Sequence, residues 1–153
     1  MSTHPSNSPP PRAAIETHGL RCTRQRELLY ETLVEMRSHP TAEELFAAAR
    51  LREPSLSLAT VYNTLDAFTD AGLARRIPAT NGTGPCRFDA DTFDHVHLSL
   101  PDGSVIDSPD DISRQLLAAI PPHLLAELER QLSLRISGVS LHLAVRPIAD
   151  ASA

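Results

Sequence analysis

The hydrophobic pattern of this 153-residue chain changes its period near His95. Up to Gly72, apolar residues recur every three to four positions, as in amphipathic helices, and from His95 they alternate with polar residues, as in half-buried strands. Such a chain folds as separate helical and sheet-containing parts. We therefore predict an α+β fold with one domain over residues 12–86, a smaller α/β domain over 87–147, and polar tails at 1–11 and 148–153, the first of them disordered.

The first domain carries start and stop signals for four helices. These signals are N-capping Thr or Ser residues, a Thr-x-x-Glu capping box and helix-terminating glycines. The predicted helices are Arg12–His18 before Gly19, Arg24–Met36 after Thr23, Ala42 to about Leu51 after Thr41, and Leu58–Ala71 between Ser57 and Gly72.

Two short apolar segments follow the helices and flank a loop rich in Pro, Asn and Gly. Strands are predicted at residues 73–77 and 86–89, and Asn81-Gly82 within the loop is a turn signal. Helices followed by a hairpin indicate a winged helix-turn-helix domain. The alternative is a generic helical domain with one exposed loop.

The second domain begins with a hairpin whose register the sequence defines. Residues 95–100 and 104–107 read as strands joined by Pro101-Asp102-Gly103, a three-residue turn. This register places His97 opposite Asp107 and puts His95 on the same face. Helices are predicted at 112–119 and 121–132, then a strand at 134–145. Two cores of about 75 residues each are marginal alone, which favours dimerisation.

Five residues have the chemistry and spacing of a metal site that draws on both domains. They are three histidines and two aspartates: His39, Asp89, His95, His97 and Asp107. Imidazole and carboxylate ligands without sulfur suit Fe(II), Mn(II) or Zn(II). His39 precedes Pro40 and is expected to be extended. Metal binding would then fix the angle between the domains. Taken singly, each residue also has an ordinary explanation, such as a chance His-x-His on a strand.

Cysteine and charge patterns narrow the function classes. Cys22 and Cys86 are far apart, which excludes a four-cysteine structural zinc within one chain and makes two separate thiols the ordinary interpretation. Residues 1–86 hold nine arginines and nine acidic residues, whereas residues 87–153 hold five and ten. Any DNA contact must therefore use local arginines of the first half. With no apolar run of about 20 residues and no signal-peptide pattern, we expect a cytoplasmic protein without a membrane segment. His4, His18, His123 and His142 are assigned no role.

Several motifs in fixed order carry a family resemblance. They are Gly19–Arg26 (GLRCTRQR), His39–Leu45 (HPTAEEL), Ser57–Leu65 (SLATVYNTL), Ala71–Leu73 (AGL), Arg87–Asp89 (RFD) and Asp94–His97 (DHVH). With them, residues 19–145 resemble the ferric uptake regulator family. The resemblance implies an N-terminal winged helix, a C-terminal dimerisation domain and metal-controlled repression of transcription.

The resemblance maps the family's regulatory metal site onto the five candidate ligands. Aspartates at both carboxylate positions are similar to the peroxide-responsive branch, in which bound Fe(II) reacts with hydrogen peroxide and a histidine ligand is oxidised. By this carry-over His39 and His95 would be oxidised. Most members also hold a structural zinc in CxxC pairs that are missing here, and a Cys-Pro haem motif is missing too.

For DNA, the resemblance makes Leu58–Ala71 the recognition helix in the major groove. A homodimer would read an A/T-rich inverted repeat in double-stranded DNA. The candidate base contacts are Thr60, Tyr62 and Asn63. Arg21 is the candidate for the minor groove, and the candidate phosphate contacts are Arg24, Arg26, Arg75 and Arg76. Tyr62 could instead belong to the core, since it sits beside Val61 and Leu65.

Four functional hypotheses remain open at this point. The favoured one is a peroxide-sensing repressor that uses Fe(II) or Mn(II). The second is an iron-uptake or other metal-responsive regulator without peroxide sensing. The third is a mononuclear metalloenzyme, since such ligands with an open position could support hydrolysis or redox chemistry. The fourth is a metal-independent regulator whose site has decayed.

Overall fold

The structure is a computed structural model that describes residues 9–79 and 83–148. These residues form two compact units. The first unit consists of the residues up to Ala79 together with Gly84–Thr92, and the second unit continues from Phe93. The predicted turn at Asn81-Gly82 and most of both predicted tails lie outside the described residues. Within those described, none of the helices combines the length and apolarity that a membrane span needs.

Four helices build the first unit, close to the predicted bounds. They are α1 (Pro11–Thr17), α2 (Arg24–Glu35), α3 (Ala42–Arg50) and α4 (Leu58–Asp70). The Thr23 hydroxyl oxygen accepts the Arg26 amide at 3.3 Å, and Ser57 Oγ caps α4 in the same way. Gly19 and Gly72 have φ of +76° and +74°, a conformation that glycine adopts without strain and that ends helices.

All four helices contribute to the core of the first unit. Its fully buried side chains include Ile15, Leu29, Leu45, Val61, Leu65 and Phe68, of which the last three recur at helical spacing on α4. Tyr30 packs edge-on against Phe68, with ring centroids 5.7 Å apart. Tyr62 does not join this core. The alternative that Tyr62 belongs to the core is wrong: the residue is 40% exposed, because it lies one position beyond the buried stripe of α4.

Two strands complete the first unit as an antiparallel pair. They are β1 (Arg75–Ile77) and β2 (Arg87–Asp89), with Arg76 opposite Phe88. The first strand starts two residues later than predicted, because the amides of Leu73 and Ala74 both donate to the Phe68 carbonyl in the turn that closes α4. Helices followed by this hairpin form a winged helix-turn-helix, as the sequence predicted.

The second unit holds a three-stranded sheet and two helices. Its elements are β3 (Val96–Ser99), β4 (Val105–Asp107), α5 (Asp110–Ala118), α6 (Pro122–Leu132) and β5 (Leu141–Ala144). Strand β3 is central, antiparallel to β4 and parallel to β5. The predicted hairpin register is confirmed, with His97 opposite Asp107. Gly103 has a φ of +82°, as the three-residue turn requires.

The last strand is shorter than the predicted 134–145. Ser133 ends α6 with a φ of +53°, and the Leu134 amide then donates to the Glu129 carbonyl. The Ile136 amide donates to the Glu129 carboxylate at 2.7 Å. These bonds back to α6 satisfy the backbone that a sheet would otherwise pair. Pairing with β3 therefore begins only at Leu141.

Candidate metal site

In the second unit, the imidazole rings of two histidines converge on one carboxylate oxygen of Asp107. His95 Nε2 lies 3.1 Å from Asp107 Oδ1, and His97 Nε2 lies 3.7 Å from the same oxygen. Residue 97 is on β3, residue 107 is directly opposite on β4, and residue 95 just precedes β3 on the same face. We call these three residues the strand trio. Their candidate ligand atoms lie within 4.8 Å of one another.

The hydrogen bonding of His95 suits a metal ligand. Its Nδ1 is 2.7 Å from the Phe93 carbonyl oxygen. A carbonyl can only accept, so Nδ1 carries a hydrogen, and in the neutral ring Nε2 is then the atom with a free lone pair beside Asp107. Metal-bound histidines in proteins are commonly oriented by such a bond from the other ring nitrogen. Two imidazole nitrogens and a carboxylate oxygen thus form a donor set that fits a divalent first-row metal.

A third imidazole of the second unit, that of His142, stacks against the strand trio, and sequence reasoning missed it. His142 of β5 lies opposite His97 in the parallel register, and their ring centroids are 4.9 Å apart at 29°. Burial, followed by the proximity of His97 and His95, lowers the pKa of His142. Ser140 Oγ is 2.9 Å from its Nε2. Only the pairing of β5 with β3 brings residues so distant in sequence together.

The first unit contains the other two predicted ligands as a buried pair. His39 Nδ1 lies 3.6 Å from Asp89 Oδ1, and the two residues are 4% and 5% exposed. Asp89 ends β2, and its carboxylate also accepts the Asp91 amide at 2.8 Å. We call these two residues the buried pair. Their proximity is what a shared ligand role requires.

The expected extended backbone at His39 is wrong. Its φ is +49°, in the left-handed region that non-glycine residues rarely adopt. The restriction that Pro40 imposes is local, and tertiary hydrogen bonds override it. The Phe88 amide donates to the Pro40 carbonyl, and the Arg87 guanidinium donates to the His39 carbonyl, each at 2.9 Å.

The three helix residues predicted to face DNA all lie on α4. Thr60 takes part in the helix cap, where its hydroxyl is 2.8 Å from Ser57 Oγ. Asn63 is exposed. The Tyr62 hydroxyl donates to Glu43 Oε1 at 2.5 Å. This hydrogen bond is the main cause that raises the pKa of Tyr62 and lowers the pKa of Glu43.

The predicted arginine contacts differ in how they are engaged. Arg21 is exposed, and its carbonyl accepts a bond from Arg26 Nη1 at 2.9 Å. Arg24 is 89% exposed in its side chain and lies 3.8 Å from the Glu53 carboxylate. Arg76 pairs with Asp66 at 2.6 Å, and Arg75 donates to the Thr92 carbonyl. Arg21 and Arg24 are therefore better presented to a ligand than Arg26, Arg75 and Arg76, whose guanidinium groups already donate to acceptors of the protein.

A winged helix-turn-helix unit, combined with clustered imidazole and carboxylate ligands, is typical of metal-responsive transcription regulators. The comparison with known families agrees. The chain belongs to the Ferric uptake regulator family, whose profile matches residues 17–128. Members of this family are dimeric DNA-binding regulators rather than enzymes. Membership of the family therefore rules out the metalloenzyme hypothesis.

Curated relatives include two regulators named for peroxide. The peroxide-responsive repressor PerR of Staphylococcus epidermidis is 37% identical over 86 residues, covering 56% of this chain and 56% of that protein. The peroxide operon regulator of Bacillus subtilis is 38% identical over 100 residues, covering 63% of this chain and 68% of that protein. The chain thus spans little more than half the length of the first relative.

Solved structures share the fold. The ferric uptake regulator of Pseudomonas aeruginosa, determined with manganese, has a TM-score of 0.64 and 27% sequence identity. The comparison covers 89% of this chain and 96% of that one. The α+β architecture predicted from the sequence is therefore confirmed.

Proposed function

We propose that this protein is a metal-dependent transcriptional repressor that binds one Fe(II) or Mn(II) ion and releases DNA in response to peroxide. The observation that carries the proposal is the strand trio, in which two imidazole nitrogens approach one carboxylate oxygen at 3.1 and 3.7 Å. The relatives named for peroxide, and aspartates rather than glutamates at positions 89 and 107, support the peroxide signal.

The proposed site joins the strand trio with the buried pair. Three donors from one and two from the other make five, and octahedral Fe(II) or Mn(II) would keep one further position for water or peroxide. Zn(II) accepts the same donors and binds more tightly in the general affinity order, so supply in the cell would select the metal. When bound, Fe(II) would supply redox chemistry with hydrogen peroxide that Mn(II) would not.

Such a site would control DNA binding by coupling the two units. A metal ion with ligands from both units favours the arrangement of the units in which all ligands reach it. The metal then promotes DNA binding if the same arrangement is the one that binds DNA. The sequence predicted a DNA-binding domain at 12–86 and a metal-binding dimerisation domain at 87–147, but β2 pairs with β1 in the first unit, which runs to Thr92. We propose the DNA-binding role for the first unit, including β2, and the dimerisation role for the second.

The proposed DNA contacts are the α4 residues in the major groove and the arginines on the backbone. Arg21 would enter the narrow minor groove of A/T-rich DNA, where the negative potential favours arginine. Arg75 would reach a phosphate only with the donors left by its bond to Thr92. A cytoplasmic location follows from this role.

Homodimerisation is supported by the outer face of α6. Leu124, Leu128 and Leu132 recur every four residues and are 55%, 48% and 57% exposed. An apolar helical stripe of this kind normally packs against another element. A second copy of the chain would cover it and give the two-fold symmetry that an inverted repeat requires.

The test is operator binding by the purified homodimer, measured by fluorescence anisotropy in Mn(II) and in chelator. We expect binding in Mn(II) alone. Asp107→Ala should lose at least tenfold in affinity at fixed Mn(II), whereas the control Asp111→Asn, on exposed α5 surface, should behave as wild type. Equal affinity with and without metal would overturn the proposal and favour the metal-independent regulator.

A further inference from the structure

His39 adopts a backbone conformation that its own sequence does not favour. Among the described residues, only His39 and Ser133 combine a side chain with positive φ. Ser133 is a helix C-cap, a common place for this conformation. His39 has no such local reason. Strained backbone of this kind persists only where surrounding contacts hold it, and it concentrates at functional sites.

The contact that holds His39 comes from Arg87. Its Nη1 donates to the His39 carbonyl at 2.9 Å and to Glu44 Oε2 at 2.9 Å, while Nη2 is 3.4 Å from Glu44 Oε1. The guanidinium therefore sits between a carboxylate and a backbone carbonyl. The Arg87 side chain is 16% exposed and that of Glu44 is 47% exposed, so solvent screens the bond to the His39 carbonyl only weakly but reaches the ion pair with Glu44.

Glu44 is itself fixed by the helix it caps. Its Oε2 accepts the Thr41 amide at 3.1 Å, and its own amide donates to the Thr41 hydroxyl at 3.2 Å. The start of α3 thus orients Glu44, which orients Arg87, which holds the carbonyl of His39. The bonds of this chain from Thr41 to His39 measure 2.9–3.2 Å, and the Glu44 side chain that links them is 47% exposed.

Strand β2 forms a second hydrogen bond to the loop that contains His39 and Pro40. The Phe88 amide donates to the Pro40 carbonyl at 2.9 Å. Consecutive residues of β2 therefore hold consecutive carbonyls of the loop, and the next residue of the strand is Asp89. One strand supplies one member of the buried pair and fixes the backbone of the other.

We infer that Arg87 is a positioning residue for His39: through its bonds to Glu44 and to the His39 carbonyl, it presents that imidazole beside Asp89 for metal binding. The inference rests on the proposed metal function. The role requires a planar guanidinium, because two acceptors on different sides must be met at once. A lysine ammonium carries the charge but lacks this fixed fork.

The test uses the full-length protein and two readouts. Mn(II) affinity is measured by titration, and the apo protein is examined by NMR for the strong intraresidue amide–Hα cross-peak of His39 that marks positive φ. The variants are Arg87→Met, which keeps the apolar stem, Arg87→Lys, and Glu44→Gln, which can still form the capping box. The control is Arg12→Gln on α1, where an exposed ion pair with Glu27 is lost.

We expect Arg87→Met to lose the positive-φ signature and to bind Mn(II) about tenfold or more weakly, the usual effect of removing a group that orients a metal ligand. Arg87→Lys should recover only part, and Arg12→Gln should match wild type in both readouts. Should Arg87→Met fail to fold, Arg87→Lys and Glu44→Gln decide, and wild-type Mn(II) affinity in both would overturn the inference.

The two readouts separate the failure of this inference from failure of the proposed function. If wild type binds no Mn(II) at all, the metal function fails, and the His39 signature in the variants still reports whether Arg87 holds the backbone. If Arg87→Met loses the signature but keeps wild-type Mn(II) affinity, the positioning role is overturned while the metal function stands.

Discussion

His97 and Asp107 are directly opposed residues of the antiparallel β3–β4 pair, and His97 Nε2 lies 3.7 Å from Asp107 Oδ1. Cross-strand neighbours on one face are held close by the ladder itself. The two side chains therefore need little reorganisation to share a metal. This preorganisation makes the hairpin, rather than a flexible loop, the base of the proposed site.

Each protomer should retain about one divalent metal ion, because the sequence has no cysteine pair from which to build a structural zinc site. The apo protein should stay folded, since its cores are apolar and do not depend on metal. Elemental analysis after dialysis against chelator and circular dichroism of the apo form check both points. Two retained zinc ions per chain, or unfolding on chelation, would contradict them.

Peroxide should act only through a redox-active metal. Fe(II)-loaded protein should lose operator binding on mild hydrogen peroxide treatment, while Mn(II)-loaded protein should keep it. Peptide mass spectrometry should find about 16 Da added at His39 or His95, as expected for one oxygen atom delivered at a ligand of a reactive metal. Unmodified histidines in the treated iron form would favour the iron-uptake alternative.

The length of the Asp107 side chain should tune this response. In Asp107→Glu the longer carboxylate can change how it binds and can occupy the position that peroxide would take. We therefore expect metal-dependent DNA binding to persist while histidine oxidation falls. Oxidation at the wild-type rate would rule out this explanation of why the peroxide-responsive branch has aspartates.

Arginine contacts to phosphate should appear in the salt dependence of operator binding. Arg24→Gln should weaken binding similarly across sequences and reduce the slope of log affinity against log salt by about one, because one counterion fewer is released. Arg130→Gln serves as the control, since Arg130 pairs with Glu127 on α6. Equal slopes for Arg24→Gln and wild type would remove Arg24 from the interface.

The hydrogen bond between Tyr62 and Glu43 should be visible in the titration of Glu43. The bond lowers the pKa of this carboxyl, so Tyr62→Phe should return it towards its ordinary value. In wild type, the lowered pKa contributes stability above the ordinary glutamate range that is lost as pH falls through the folded pKa. NMR titration of the Glu43 carboxyl carbon in wild type and in Tyr62→Phe measures the change, and the same Glu43 pKa in both would contradict the prediction.

Stacking of His142 on His97 should matter for metal affinity. His142→Ala removes the ring that packs at 4.9 Å against His97, so Mn(II) binding should weaken several-fold as the ligand gains freedom. His142→Phe keeps a flat ring and should restore most of the affinity. If His142→Ala binds Mn(II) as wild type does, the stacking has no part in holding the ligand.

The sequence determined what depends on neighbours along the chain. The caps at Thr23, Thr41 and Ser57, and the stops at Gly19 and Gly72, lie where their residue types predicted, because a cap is satisfied within three or four residues. The register that opposes His97 and Asp107 followed from a three-residue turn for the same reason. Most of the strand trio could therefore be predicted from the sequence, and so could the class of fold.

Only the tertiary structure decided the features that depend on contacts between distant residues. The left-handed backbone of His39 results from Arg87, forty-eight positions away, against the local preference that Pro40 imposes. His142 reaches His97 only because β5 pairs with β3, and the segment before β5 bonds to Glu129 of α6 instead of extending the strand. Such contacts have no signature in local spacing, because their energies depend on which surfaces folding brings together.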